Sequence, residues 1–183
     1  MKMLVRQTPL STDLPFDLEE LKEFIRVDQA TEAEDTEVRN IGLAAAGEME
    51  HLAQIALLQK TIRVTIFEPS LGDFLKLPIG PAEDTATPTM TVNGSAFSDF
   101  TFFGAIRPYL KFGCSFERLT PSWVQIEYQA GFENAASIPA DLSYAIKDQA
   151  ALLYDAKSPM GSALLSHSPH MARIAAKYRG VSL

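Results

Sequence analysis

The sequence holds few of the residues that close disulfides or bind metal ions. Cys114 is its single cysteine, and only three of its 183 residues are histidines. One cysteine excludes an intramolecular disulfide and leaves no set of thiolates for a structural metal site. His167 and His170 are close in sequence, but Pro169 between them disfavours a regular helix that would direct both rings at one ion. We therefore expect no metal site and no cofactor.

Motifs for catalysis are missing as well. The sequence contains no Gly-x-Ser-x-Gly elbow, no phosphate-binding loop and no dinucleotide fingerprint. Cys114 lies beside Ser115, but nothing in the sequence indicates a partner base, and a small buried side chain is the simpler interpretation. His51 is interpreted as a surface histidine. We expect a protein that is not an enzyme. The alternative is a small-ligand-binding or enzymatic α+β domain, because one sequence does not show whether the fold encloses a pocket.

Long apolar runs are also absent. No stretch approaches the ~20 apolar residues that cross a bilayer, and residues 1–6 are too few for the apolar part of a signal peptide. We expect synthesis in the cytoplasm and no membrane partner. Lys and Arg are in the minority, 16 against 23 Asp and Glu, for a formal net charge of -7. This balance argues against general nucleic-acid affinity, because clustered basic residues drive phosphate binding.

The charges that are present are divided along the chain. Residues 13–50 contain 12 acidic and three basic residues. No acidic residue follows Asp155, whereas four basic ones do: Lys157, Arg173, Lys177 and Arg179. An acidic front and a basic tail favour contacts between different molecules. We therefore expect that self-association joins two different surfaces of each copy, head to tail.

The spacing of apolar residues predicts an α+β fold. A period of 3.6 predicts helices over residues 17–27, 35–53 and 138–155. Alternation predicts strands over residues 57–67, 74–79, 87–92, 95–103, 109–112 and 123–128. Asn93-Gly94 predicts a tight type I′ hairpin between two of these strands, since both residues accept a positive φ. Helices at both ends of the chain then pack around a central antiparallel β region.

Three segments are predicted along the chain. Residues 1–16, with two prolines and little periodicity, form an extended N-terminal arm, and residues 17–157 form one domain. Residues 158–183 form a basic C-terminal arm. Within this arm a short helical turn places four apolar residues on one face: Met171, Ile174, Ala175 and Tyr178. That face either binds a neighbouring protein or packs back onto the sheet of its own chain.

Four phenylalanines near the hairpin are a candidate subunit interface. On one extended strand Phe100 and Phe102 point to one side, and Phe97 and Phe103 point to the other. Two apolar faces suit a central strand that is buried on both sides, and they equally suit an aromatic patch covered by another subunit.

Several short motifs, in this order, resemble the head-tail connector (adaptor) family of tailed phages and gene transfer agents. The central one runs from Tyr128 through Ala130-Gly131-Phe132 to Ile138-Pro139 and Asp141-Leu142. Others are Leu77-Pro78 with Gly80-Pro81, Ile106-Arg107-Pro108 and the closing Lys177-Tyr178-Arg179-Gly180-Val181. The basic tail looks most like the adaptors of gene transfer agents. The sequence departs from the usual pattern at Ile62, where an aromatic residue is common.

The resemblance implies a structural protein at the head-tail interface of a virion or gene transfer agent particle. Adaptors of this family form rings, typically of twelve subunits, between the portal protein and a tail-side stopper or tail terminator protein. DNA passes through the lumen without specific binding. We predict that the C-terminal arm of this chain binds the portal protein. Arg173, Lys177 and Arg179 would pair with carboxylates there, and Tyr178 would be the apolar anchor.

Overall fold

The computed structural model describes residues 2–27, 34–69, 72–156 and 167–179 of the chain. The chain falls into two compact units: a β unit of residues 1–12 and 58–132, and an α unit of residues 13–57 and 133–183. The sheets are antiparallel, and seven of the eight described strands lie between two helical segments in the element order, so the predicted α+β class is confirmed. The predicted division into one domain and two arms stays a prediction.

A five-stranded antiparallel sheet dominates the β unit, in the order β1-β2-β8-β4-β5. Its strands are β1 (Lys2–Pro9), β2 (Lys60–Phe67), β4 (Thr89–Val92), β5 (Ser95–Phe97) and β8 (Trp123–Ala130). The alternation predicted for β8 is confirmed, because Val124, Ile126 and Tyr128 are all buried. Each of them lies directly opposite a buried residue of β2, so one continuous apolar face covers both strands.

The hairpin predicted at Asn93-Gly94 is confirmed. Val92 pairs with Ser95, and the two turn residues have φ angles of 50° and 86°, as a type I′ turn requires. The Asn93 side-chain oxygen also accepts hydrogen bonds from the backbone N–H groups of Ser122 (2.8 Å) and Trp123 (3.2 Å). The turn is thereby attached to the start of β8.

A second sheet explains why one predicted strand is wrong. Its order is β3-β7-β6, with β3 at Phe74–Lys76, β6 at Phe100–Phe103 and β7 at Tyr109–Phe112. The segment 95–103 was predicted as a single strand, but the chain leaves the large sheet after Phe97 and enters the small one at Phe100. Asp99 fixes the break: its carbonyl accepts from the Gly113 N–H (2.8 Å), and its carboxylate accepts from the Ser115 N–H (3.1 Å) and hydroxyl.

The N-terminal segment is extended, as expected, but it is part of the sheet. β1 pairs with β2 along its full length, from Lys2 opposite Phe67 to Pro9 opposite Lys60. No side chain of β1 is buried. Met3 and Val5 lie on one face of β1 and Leu4 lies on the other, so the strand lacks the apolar/polar alternation that marks a half-buried strand.

Four helices make up the α unit in the described residues: α1 (Leu18–Ile25), α2 (Asp35–Ala53), α3 (Ala140–Asp155) and α4 (Pro169–Arg179). The Asp17 carboxylate caps α1 by accepting from the Glu20 N–H (3.0 Å). α2 contacts the other three helices, and α3 contacts α1 and α4. None of these helices is both long and apolar enough to cross a bilayer.

Candidate functional site

The described part of the basic tail packs on the helices of its own unit. α4 contacts α2 and α3 and buries Met171, Ile174, Ala175 and Tyr178, the four residues predicted to share one face. This face of α4 packs on helices of its own unit, and the binding of the segment to a neighbouring protein stays a prediction. Residues 158–166 and 180–183 of the predicted arm lie outside the described residues.

One carboxylate of α3 holds the C-terminal end of α4. Asp141 accepts hydrogen bonds from the Lys177 ammonium (2.7 Å) and from the Tyr178 hydroxyl (2.9 Å). Burial opposes ionisation of Asp141, but the hydrogen bonds from Lys177 and Tyr178 outweigh it and lower the pKa of the carboxyl. Burial, followed by the bond to Asp141, raises the pKa of Tyr178 to about 12. At neutral pH the contact therefore joins an ionised Asp141 to a neutral tyrosine.

A buried polar chain holds the other end of α4. The Gln149 side chain donates to the Glu48 carboxylate (2.7 Å) and accepts from the Ser168 N–H (2.7 Å). The Ser168 hydroxyl oxygen in turn accepts from the Met171 N–H (2.9 Å), which caps α4. Gln149 and Ser168 are both buried, and their hydrogen bonds connect α2, α3 and α4.

Pro169 begins α4, so His167 and His170 lie on different sides of a helix start. His170 has Nδ1 3.1 Å from an Arg173 guanidinium nitrogen and its ring against the Tyr144 ring. Across residues 2–27, 34–69, 72–156 and 167–179, no group of three His, Cys, Asp or Glu could hold a metal ion.

The predicted basic residues of α4 lie on its outer face. Arg173, Lys177 and Arg179 are exposed, and Lys177 also pairs with Asp141. Tyr178 is buried within its own unit, with 8% of the residue exposed, and its role as the apolar anchor for the portal stays a prediction. The sequence alone could not show this, because Asp141 lies 37 residues before Tyr178 and no local pattern joins them.

The acidic front of the chain is acidic at its surface as well. Asp17, Glu19, Glu20 and Glu23 are exposed on or beside α1. Lys22 on the same helix is buried and forms a 2.7 Å ion pair with Asp35. A basic charge of this front is thus neutralised within the unit. By sequence the α unit has 8 basic and 16 acidic residues, and the β unit has 8 basic and 7 acidic.

A groove of about 610 Å³ lies between α1 and the start of α3. Phe16, Phe24, Ile138 and Tyr144 give it apolar walls, and the carboxylates Asp17 and Glu20 also line it. Phe24 and Tyr144 meet edge to face, with their ring centroids 5.6 Å apart. Lys147, on the same groove, forms an ion pair with Glu20. We call this feature the α1–α3 groove.

The four phenylalanines are divided between two sheets. Phe97 belongs to β5, whereas Phe100, Phe102 and Phe103 belong to β6, and all four are partly exposed. Three of them contact another ring: Phe97 with Phe116, Phe102 with Tyr128, and Phe103 stacked on Tyr109. They are neither fully buried nor fully solvated, so their role in a subunit interface stays a prediction.

Two residues considered for catalysis lie at the surface. His51 is exposed, as predicted. Cys114 was predicted as a small buried side chain, and this is wrong, because its residue is exposed. It lies in the turn between Gly113 and Ser115, which is held by Asp99 through hydrogen bonds to its two neighbours. This turn places the thiol outside the core.

No family model and no curated protein match this chain. Solved structures do. The chain is similar to one in the virion of a native gene transfer agent (GTA) particle, with a TM-score of 0.79 and 21% sequence identity. It is also similar to a chain in the neck of an empty GTA particle computed with C6 symmetry, with a TM-score of 0.77 and 22% identity. A chain in the neck of a native GTA particle computed with C12 symmetry matches with a TM-score of 0.71 and 18% identity. Each similarity covers 98% of this chain and 97% of the other. The chain therefore has the fold of a GTA particle chain along nearly its whole length.

Proposed function

We propose that this protein is a structural component of the neck of a gene transfer agent or tailed-phage particle, where it acts as a head-tail adaptor. The observation that carries the proposal is the fold, which the chain shares along nearly its whole length with chains of GTA virions and necks. The function is mechanical and involves no catalysis and no cofactor. Its site of action is the particle, after synthesis in the host cytoplasm.

The proposed assembly is a closed ring of twelve copies. One of the similar necks was computed with C12 symmetry, and another with C6, which is compatible with twelve copies. A ring needs two different contact surfaces on each copy. The strongly acidic α unit and the nearly neutral β unit supply surfaces of different charge. Phe97, Phe100, Phe102 and Phe103 are proposed to contribute aromatic area to the contact between subunits.

The proposed partner on the head side is the portal protein, bound through the outer face of α4. Arg173 and Arg179 are exposed there, and both present guanidinium groups suited to carboxylates of a partner. Lys177 and Tyr178 hold α4 in position through their hydrogen bonds to Asp141. The proposed tail-side partner is a stopper or tail terminator protein. A net charge of -7 suits a ring through which DNA passes without specific binding.

Charge reversal tests the portal contact. The double variant Arg173→Glu, Arg179→Glu is expected to lose portal binding in co-sedimentation, because two attractive pairs become repulsive. Its matched control is Lys76→Glu, which reverses an exposed charge on β3 in the other unit. Normal portal binding by the double variant, or equal loss in the control, would place the contact elsewhere.

A further inference from the structure

The solvent face of β1 carries an exposed leucine between two basic residues. Lys2, Leu4 and Arg6 alternate along the strand, so their side chains share one face. Leu4 is 61% exposed, more than any other large hydrophobic residue in the described chain. We call these three residues the β1 stripe.

The charges of the β1 stripe are not neutralised by its surroundings. Lys2 and Arg6 have no ion pair among the residues that the structure describes, and no acidic residue occurs before Asp13. Arg6 lies opposite Arg63, whose own guanidinium is paired with Glu127 at 2.8 Å. Like charges across a strand pair cost stability, so a partner carboxylate for Arg6 would be favourable.

The α1–α3 groove has the complementary character. Its walls are aromatic and aliphatic, and Tyr144 on one wall is 51% exposed. Two carboxylates line the groove: Asp17, and Glu20 in its ion pair with Lys147. Glu23 is exposed further along α1. Lys2 and Arg6 are about 13 Å apart along an extended strand. Asp17 and Glu23 are about 9 Å apart along a helix. The two spacings differ, but the long side chains of Lys2 and Arg6 are flexible enough to reach both carboxylates.

We propose that the α1–α3 groove of one copy receives the β1 stripe of the next copy in the ring. Leu4 then packs against Phe24 and Tyr144, while Lys2 and Arg6 approach the carboxylates of α1. The stripe and the groove are different surfaces, so the contact is heterologous and propagates around a ring. This inference rests on the proposed ring and names the contact that closes it.

Cross-linking between copies tests the contact directly. Two full-length variants are made in a Cys114→Ser background, one carrying Leu4→Cys and the other carrying Ser143→Cys, a position that lines the groove. Mixed under ring-forming conditions with a mild oxidant, they are expected to form a disulfide dimer that neither gives alone. The control replaces Leu4→Cys by Thr8→Cys, which shares the face of β1 but lies about 13 Å further along it. A mixture that forms rings without the Leu4 cross-link, or with equal cross-linking at Thr8, overturns the proposal.

Leucine replacement provides an independent measurement. Leu4→Ser is expected to weaken ring formation about tenfold in sedimentation experiments, because an exposed leucine loses its apolar contact. Leu10→Ser, at a leucine that is 51% exposed beyond the end of β1, is the control and should assemble normally. Rings of normal stability with Leu4→Ser, or a loss of portal binding alone, would remove the stripe from the subunit contact while leaving the proposed ring intact. Failure of the unmodified chain to form rings, with portal present, would contradict both.

Discussion

Asp141 is the residue on which the position of α4 depends most directly. Its carboxylate receives Lys177 and Tyr178 from α4 and the backbone N–H of Leu142 at the start of α3 (3.0 Å). The sequence identified Asp141 as part of a helix start, and that is correct. Its second role, as the acceptor for the basic tail, depends on a contact between distant parts of the chain.

Replacing Asp141 by asparagine is expected to destabilise the protein in a pH-dependent way. The folded-state pKa of Asp141 is lowered from the ordinary value of 3.8, so its contribution to stability is present above that pH and is lost as the pH falls. Asp141→Asn should lower the free energy of unfolding by about 1 kcal/mol or more at pH 7. The difference from wild type should shrink below pH 4.

Urea titrations at pH 7 and pH 3 provide the measurement. Asp155→Asn, an exposed aspartate at the end of α3, is the control and should change stability by less than about 0.5 kcal/mol. A pH-independent difference between Asp141→Asn and wild type would show that ionisation of this carboxyl does not hold α4.

Two glycines of α2 test how α1 and the preceding turn pack on that helix. A Cβ at Gly42 would overlap the Phe16 ring and the Leu21 side chain, whereas a Cβ at Gly47 meets no atom within 4 Å. Gly42→Ala is expected to cost about 1–3 kcal/mol, because buried side chains must move. Gly47→Ala should stabilise the protein by about 0.5–1 kcal/mol through helix propensity alone.

Thermal unfolding of both alanine variants separates these effects. The two substitutions are chemically identical and lie on one helix, so each is the control for the other. Equal shifts in Tm would contradict the close approach of Phe16 and Leu21 to Gly42.

Elements with a strong local pattern were predictable from the sequence, and elements fixed by distant contacts were not. The bounds of α2 and β7 agree with their predicted ranges, since the apolar period and the flanking turns both lie within the segment. The break between β5 and β6 depends on the contact of Asp99 with Ser115, which lies 16 residues away. The apolar face of α4 was also predictable, but its cover, the helices α2 and α3, was not.

Removal of α4 is expected to affect the α unit as a whole. Burial of Met171, Ile174 and Tyr178 is worth on the order of 5 kcal/mol before the entropy of ordering the helix is subtracted. A chain truncated after Ala156 should therefore unfold at a Tm lower by about 5 °C or more. An unchanged Tm by calorimetry would show that α4 contributes nothing to the stability of the unit.

At the scale of the assembly, truncation is a poor test of portal binding, because α4 is also part of the core of the α unit. A truncated chain would lose both the basic face and part of its core, and the two losses would not be distinguishable. Surface substitutions at Arg173 and Arg179 change the exposed charge while leaving the buried face of α4 in place. The same reasoning favours Leu4 for the subunit contact, because this residue is 61% exposed in its own copy.

Native mass spectrometry tests whether this chain forms a ring in a particle neck. The full-length chain is measured alone and with the portal protein of the same particle, over a range of concentrations. We expect an assembly with portal that contains twelve copies of the 20.1 kDa chain. A chain that remains a monomer or a two-fold dimer at every concentration, with and without portal, would contradict it.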